Sequence, residues 1–291
     1  MASLKEVKSR ISSVISTQQI TKAMKMVSAA KLRKSQDKII QMRPFAKKMG
    51  LLLQNLSSAA SDGQSWYNQT REVKKILIVP ISSDRGLCGS FNSSVFKAAL
   101  RLLEEKYPQQ ASQRNVTFLV IGKKSLEFFE KRKYPTIGKY STLFHDLSFD
   151  TISNPAEYLM EVFKKGEFDK IELVYNEFKN VATQILRVEQ YLPILPAAKK
   201  ITATTDYIYQ PTQEEILTGL IPKSLKVQLY KAVLDSNAAE NGARMTAMDK
   251  ATDNAGELLK DLKLTYNRTR QAAITKEILE IVAGAEALKS S

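Results

Sequence analysis

The 291-residue chain is poor in the residues that most often carry out chemistry. Its single cysteine, Cys88, excludes an internal disulfide and fits a reducing compartment. Its single histidine, His145, excludes a multi-histidine metal site and leaves little room for histidine-based catalysis. No apolar run approaches the roughly 18 residues of a membrane span. There is also no Gly-x-x-x-x-Gly-Lys-Ser/Thr segment, so a P-loop for a triphosphate is excluded.

The chain is strongly basic, and the charge is uneven. It holds 44 Lys and Arg against 30 Asp and Glu, a net charge of +14, in a composition otherwise typical of soluble globular proteins. Residues 1–57 carry +10, residues 58–211 carry +4 and residues 212–291 carry none of the excess. A concentrated basic segment indicates an acidic partner: nucleic acid, an anionic membrane surface or an acidic protein face. A solvated helix face is the ordinary alternative.

The first 56 residues keep one heptad register. The a and d positions are apolar over 4–14, polar over 18–28 and mostly apolar over 32–56. Alternating spacings of three and four residues are typical of a helix in a left-handed coiled coil. Pro44 removes a backbone donor and is expected to kink this helix without necessarily ending it.

The last third of the chain repeats this pattern. Heptad positions run from 234 to 266, and a second apolar stripe over 274–288 follows after a shift of one residue. Residues 212–215 predict a capping box for a short helix, which Pro222 should interrupt so that the long helix begins near Lys223. Gly242 is expected to allow a close approach of the partner helix. The two terminal helices are predicted to pair antiparallel.

Between these helices the periodicity changes. Short β-branched runs over 73–81, 116–121, 171–175 and 183–188 predict strands, and residues 92–106, 123–132 and 154–165 predict helices. This alternation predicts an α/β layer with a largely parallel sheet, entered through a loop over 58–72. The predicted domains are therefore a coiled-coil helix over 1–57, an α/β globular domain over 58–211 and a second coiled-coil helix over 212–291.

The terminal helices are too long to be covered by the middle of their own chain. At about 1.5 Å per residue they would measure roughly 80 and 100 Å, against about 35–40 Å for the central domain. Residues 278–288 are apolar almost all the way round, which is typical of a buried helix. We therefore expect other proteins to cover the helix ends.

One turn is a candidate ligand site. Residues 84–89, Asp-Arg-Gly-Leu-Cys-Gly, follow the first strand, where open α/β sheets tend to bind ligands. We interpret it as a tight turn used in packing or partner contact, with ligand binding left as an alternative. Cys88 as a nucleophile would need His145 as its base, and a buried small hydrophobe is its ordinary role. We predict no catalytic residue, cofactor or metal site.

Four segments resemble one family. The run ITKEILEIVAGAEA over 274–287 resembles the signature of the gamma subunits of F-type ATP synthases, and residues 19–31, 84–89 and 244–248 resemble further segments of that family. The resemblance implies a Rossmann-like α/β domain between two helices that form a coiled-coil shaft. The regulatory insert of the chloroplast type, with its cysteine pair, is absent, so thiol control of rotation is not expected.

The resemblance implies a non-catalytic rotor. In this family the coiled coil lies inside a hexameric ring of alpha and beta subunits, and the globular part stands with epsilon on the membrane c-ring. Proton or sodium flow then drives ATP synthesis at the beta subunits, and the rotor regulates ATPase activity and ion flow. Without a convincing transit peptide, we expect a peripheral position on the cytoplasmic face of a bacterial inner membrane. We expect no nucleic acid partner and no insertion into the bilayer.

The resemblance also implies partner contacts residue by residue. Arg270, Gln271 and Thr275 match the family's catch positions, which bind a beta-subunit loop. Lys22, Met24 and Lys25 match the segment that faces the acidic beta lever. Tyr207 and Tyr209 lie in the region that meets epsilon and the c-ring. The ordinary alternatives are a solvated helix face, coiled-coil packing and a strand edge of this chain.

Two other classes stay open at this point. A coiled-coil nucleic-acid binder would use the basic N-terminal helix, although the first 44 residues contain no aromatic side chain for base stacking. Binding to duplex phosphates would weaken steeply with salt. An enzyme built on the α/β domain is the third class, and the missing catalytic groups count against it.

Overall fold

A computed structural model of the chain describes residues 3–59, 66–194 and 213–289. Two long helices enclose an α/β domain. Helix α1 spans Leu4–Ala59 and continues through Pro44, and helix α6 spans Gln213–Lys289. Between them the structure has helices α2 (Phe91–Lys106), α3 (Pro108–Ser112), α4 (Lys123–Lys131) and α5 (Phe149–Lys164). Short 3-10 turns cover Trp66–Asn68 and Leu143–His145.

Helix α6 does not break at its proline. The expected interruption at Pro222, with a new helix from Lys223, is wrong: the 77 residues form one helix with Pro222 inside it. The neighbouring Ile221 and Leu225 are buried in the core of the α/β domain, with 5% and 2% of their surface exposed. Packing on both sides of the proline compensates for the hydrogen bond that its ring nitrogen cannot donate.

The sheet is largely parallel, as predicted. Its strands are β1 (Ile76–Pro80), β2 (Val116–Leu119), β3 (Thr136–Ile137), β4 (Lys170–Phe178) and β5 (Gln184–Leu192), in the order β3-β2-β1-β4-β5. Among the strands of the described residues, only β5, which forms a hairpin with β4, is antiparallel. The predicted fold class, α/β with long terminal helices, is confirmed.

Both faces of the sheet are covered, which explains why the strands read as continuous apolar runs. Alternate residues of β1 point to opposite faces: Leu77 and Val79 pack in the cluster that contains α5 and the start of α6, and Ile76 and Ile78 in the cluster that contains α2. Residues 221–233 of α6 therefore act as a layer helix of the α/β domain.

Packing groups the chain into two compact units, Met1–Val27 with Met245–Ser291, and Ser28–Arg244. In the second unit, Ser35 Oγ on α1 donates to Asn237 Oδ1 on α6 over 2.6 Å. Helix α1 runs on to Ala59 and α6 begins at Gln213. The division into three domains at residues 57 and 211 stays a prediction.

The first unit contains the polar stretch of the heptad seam. The hydroxyls of Thr21 and Thr252 lie 2.8 Å apart, and Lys25 pairs with Asp249. Positions on α1 rise as their partners on α6 fall, so the helices are antiparallel, as predicted. Gln18 Nε2 donates to the Thr252 carbonyl over 3.5 Å. The polar a and d residues of α1 are thus matched by polar groups of α6.

The mid-helix glycine faces a different neighbour from the one expected. A Cβ at Gly242 would meet the Phe178 ring at 3.5 Å and the Val181 carbonyl oxygen at 3.6 Å. Gly242 therefore approaches the β4–β5 hairpin, and the expectation of a close approach to the partner helix is wrong.

Candidate functional site

The three residues matched to the beta lever differ in how available they are. Lys22 on α1 is exposed, and Met24 is half-buried. Lys25 forms an ion pair with Asp249, in which both side chains remain partly exposed. Within the described residues the ammonium of Lys22 therefore has no carboxylate partner, whereas that of Lys25 already has one.

Apolar residues around this segment were missed by the sequence analysis. Ile20, Met26 and Val27 are 59%, 60% and 57% exposed. None of them occupies an a or d position of the heptad register, so they lie off the seam with α6. Large apolar residues outside the a and d positions were the signal that could have identified them, since such exposed groups mark contact surfaces when they cluster.

The matched catch residues all lie on one exposed stretch of α6. Arg270, Gln271 and Thr275 are exposed. None has a hydrogen bond or an ion pair from its side chain to another residue in the part of the chain that the structure describes. They are free to bind a partner.

The same stretch carries an apolar surface that this chain leaves uncovered. Every residue over 270–286 is exposed. The large apolar side chains of this end of α6, from 49% to 83% exposed, are Ile274, Ile278, Leu279, Ile281, Val282 and Leu288. A helix that is apolar on several sides is normally buried, so this end has the composition of an interface core.

The turn over 84–89 fills the place where an α/β sheet would bind a phosphate. Helix α4 begins after Gly122, and its free N–H groups would form the anion site. They are taken by the loop after β1: Lys123 N donates to Asp84 Oδ1 at 3.1 Å, and Ser125 N donates to Ser82 Oγ at 2.8 Å. The carboxylate of Asp84 stands where a ligand anion would stand.

Helix α6 holds this turn from the other side. The Arg244 guanidinium donates to the carbonyls of Arg85 at 3.0 Å and Gly86 at 3.2 Å, and pairs with Glu240 at 2.7 Å. Burial raises the pKa of the Glu240 carboxyl, and the neighbouring Arg244 opposes that rise. The interpretation of the turn as a packing element is supported by these contacts.

Cys88 is placed as a buried small side chain. It is 2% exposed, and burial raises the pKa of its thiol, which disfavours the reactive thiolate. Its sulfur lies within hydrogen-bond distance of Ser83, Asn92 and the Arg85 carbonyl. His145 is exposed at the end of a 3-10 turn and is not among these partners.

Known proteins match the whole length of the chain. The family model described as ATP synthase matches residues 3–288. The ATP synthase gamma chain of Cytophaga hutchinsonii is 57% identical over 295 residues, covering 100% of both chains. The chain belongs to the ATP synthase gamma chain family. The resemblance drawn from the four sequence segments is confirmed.

Chains from two solved ATP synthase structures have the same fold. One comes from the structure of OSCP, F1 and c-ring of the Euglena gracilis mitochondrial ATP synthase in rotational state 3. It aligns with a TM-score of 0.69 at 22% identity, and the alignment covers 98% of this chain and 94% of the other. A chain of the Tetrahymena thermophila mitochondrial enzyme, from its central stalk and c-ring, aligns with a TM-score of 0.56 at 26% identity, covering 80% and 99%.

Two of the residues matched to partners of the gamma chain family, Tyr207 and Tyr209, lie outside the described residues. Within residues 3–59, 66–194 and 213–289, no cluster of three or more His, Cys, Asp and Glu side chains could hold a metal ion. No helix in those ranges has an 18-residue stretch apolar enough to cross a bilayer.

Proposed function

We propose that this chain is the rotor of a bacterial ATP synthase, the shaft that couples ion flow through a membrane c-ring to ATP synthesis on partner subunits. Membership of the gamma chain family supports this role. The observation that carries it furthest is the exposed end of α6 over 270–286, because an apolar surface of that extent requires a protein partner.

The rotor makes its contacts through the two terminal helices. A ring of alpha and beta subunits covers the apolar end of α6, and Arg270, Gln271 and Thr275 bind a beta-subunit loop. Lys22 and Met24 on α1 face the acidic beta lever, and the exposed Ile20, Met26 and Val27 add apolar area to that contact. Epsilon and the c-ring bind the globular part, with Tyr207 and Tyr209 among the contacts.

The rotor acts by differential affinity and performs no chemistry itself. Each angle of an asymmetric shaft stabilises a different set of conformations in the surrounding beta subunits, so rotation changes nucleotide affinity at each site in turn. The crevice that would hold a nucleotide in this α/β domain is filled by Asp84 and Ser82, which supports a non-catalytic role. The chain is peripheral, on the cytoplasmic face of the inner membrane, and the coupling ion is a proton or sodium.

Reconstitution tests this proposal. Alpha and beta subunits of the same enzyme, co-expressed with the full chain, should form a complex with higher ATPase activity than alpha and beta alone. The variant Ile278→Asp with Leu279→Asp should assemble less well, because it places two charges in the covered surface. The control Glu257→Asp with Lys260→Arg keeps the charge of an exposed part of α6 and should assemble normally. A complex no more active than alpha and beta alone would refute the rotor role.

A further inference from the structure

A basic cleft opens within the unit Ser28–Arg244. Its walls come from α1, the turn after β1, the segment around Leu143–His145 and α6, and its volume is about 470 Å³. That volume lies within the range of roughly 300–1,000 Å³ typical of small-molecule sites. The cleft borders the plugged crevice at the start of α4, since Asp84 contributes to both, but most of its other lining residues lie on α1 and α6.

Five cations line this cleft: Arg244, which pairs with Glu240, and four others. Lys31, Lys34 and Lys38 follow one another on α1 at spacings of three and four residues, which places them on one helix face. Arg85 joins them from the turn after β1. Lys31, Lys34 and Arg85 are exposed, and Lys38 Nζ donates to the carbonyl of Leu147 over 3.1 Å.

Each carboxylate of the cleft already has a hydrogen-bond or ion-pair partner. Asp84 accepts a hydrogen bond from Lys123 N at the start of α4. Asp146 accepts from the Thr151 hydroxyl at 2.6 Å and from Ser148 at the start of α5, and these bonds lower the pKa of its carboxyl. The third carboxylate, that of Glu240, pairs with the guanidinium of Arg244 at 2.7 Å.

The other four cations form no ion pair among the described residues, although Lys31 and Lys38 interact electrostatically at longer range with Glu240 and Asp146. In the described part of the chain, no carboxylate lies within the 4.0 Å ion-pair distance of Lys31, Lys34, Lys38 or Arg85. Unpaired like charges around a concave surface repel one another and concentrate a potential that attracts anions. A bound anion would relieve that repulsion.

We propose that this cleft binds a small anion carrying a di- or triphosphate group, either inorganic pyrophosphate or the phosphate tail of a free nucleotide. Such a group brings several negative charges within a few ångströms, so it can contact lysines of α1 and Arg85 together. A single protein carboxylate carries one charge and would neutralise only part of the cluster. The inference does not depend on the rotor role.

Calorimetric titration of the purified full chain tests this site. Pyrophosphate should bind saturably with one site per chain at about 0.1 M salt. The variant Lys31→Gln with Lys34→Gln should weaken binding by about tenfold or more, because it removes two unpaired cations. The control Lys5→Gln with Lys8→Gln removes two exposed lysines at the same spacing on the same helix, and should change affinity by less than about twofold. Arg85→Gln, at the other wall, should also weaken binding.

Titrations with ATP, tripolyphosphate and an acidic peptide identify which kind of anion the cleft binds. Equal affinity for ATP and tripolyphosphate assigns the site to the phosphate tail, and tighter binding of ATP adds a contact with the nucleoside; both support the site. Absence of saturable pyrophosphate binding overturns it, as does equal weakening by the control variant. A glutamate-rich peptide that binds more tightly and displaces pyrophosphate would assign the cleft to a protein partner instead. Circular dichroism verifies that each variant is folded.

Discussion

The guanidinium of Arg43 on α1 donates to Asp235 Oδ1 on α6 over 3.3 Å, and also to the Phe178 carbonyl at 3.0 Å. Asp235 is fully buried, and its second oxygen has no hydrogen-bond partner among the described residues. Burial raises the pKa of this carboxyl to about 6, and Arg43 only partly opposes the rise. One ion pair therefore joins α1, α6 and the end of β4 around a carboxylate that is incompletely satisfied.

This pair makes the folded state sensitive to pH. The unfolded Asp235 carboxyl titrates near 3.8 and the folded one near 6. Between these values the folded state holds a proton that the unfolded state has lost, so this group's contribution to stability falls as pH rises and is fully lost above about pH 6. Asp235→Asn keeps an acceptor for Arg43 and should remove this pH dependence. Near neutral pH its free energy of unfolding should exceed that of the wild type by about 1–3 kcal/mol.

Chemical denaturation between pH 4 and 8 measures this effect. The control Asp253→Asn removes one exposed carboxylate from the same helix and so corrects for the change in net charge. If the free energies of unfolding of the wild type and Asp235→Asn stay a constant distance apart over that range, burial of Asp235 does not govern the pH dependence.

Two glycines should respond oppositely to alanine. At Gly242 the new Cβ would make ordinary contacts of 3.5–3.7 Å, so Gly242→Ala should stabilise the chain by about 1 kcal/mol through helix propensity. At Gly122 the backbone has a φ of +95° and the Cβ would lie 2.3 Å from the Ser82 carbonyl oxygen, so Gly122→Ala should cost more than about 2 kcal/mol. Thermal melting of the two variants beside the wild type checks both signs. A stabilised Gly122→Ala would show that the loops after β1 and β2 are not in close contact.

Arg244 anchors α6 to the turn over 84–89, and this anchor should be sensitive to loss of the arginine's charge. Arg244→Met leaves the buried Glu240 and the carbonyls of Arg85 and Gly86 without their donor, and should destabilise the chain by about 3–5 kcal/mol. Adding Glu240→Gln should recover part of this loss, because a neutral amide costs less to bury than a carboxylate. Urea unfolding measures both. A single variant within about 0.5 kcal/mol of the wild type would mean that the anchor is dispensable.

The catch residues should affect coupling and leave folding unchanged. Arg270→Ala with Gln271→Ala removes side chains that are exposed and make no described contact within the chain, so the melting temperature should stay the same. In reconstituted vesicles, ATP-driven proton pumping should weaken, because the variant removes the proposed contact with the beta subunit. The variant Lys260→Ala with Lys263→Ala, on an exposed part of the same helix, is the control. Normal pumping by the catch variant would refute the assignment.

Hydrophobic periodicity was sufficient to predict the main elements of the fold. The heptad stripes identified both terminal helices, and four β-branched runs identified β1, β2, β4 and β5. The two residues of β3 carry too short a pattern to detect. The continuity of α6 at Pro222 could not be predicted either, since it depends on tertiary packing around Ile221 and Leu225.

The candidate sites were predictable where a motif or a register marked them. The exposed apolar end of α6 could be predicted, because apolar residues there cover more of the helix surface than a single a/d stripe would. Spacing alone, however, could not show that Asp84 caps α4 or that Arg244 holds the turn, because both contacts join segments far apart in the chain. The pairing of Lys25 with Asp249 was hidden for the same reason.

The exposed end of α6 also has a consequence for the supply of this protein in the cell. A newly made copy without its partners displays isoleucine, leucine and valine side chains that water solvates poorly. Such copies should self-associate or be cleaved by quality-control proteases, whereas partners that cover this surface, as proposed, should protect it. Synthesis in step with the partner subunits would therefore limit how many unassembled copies accumulate.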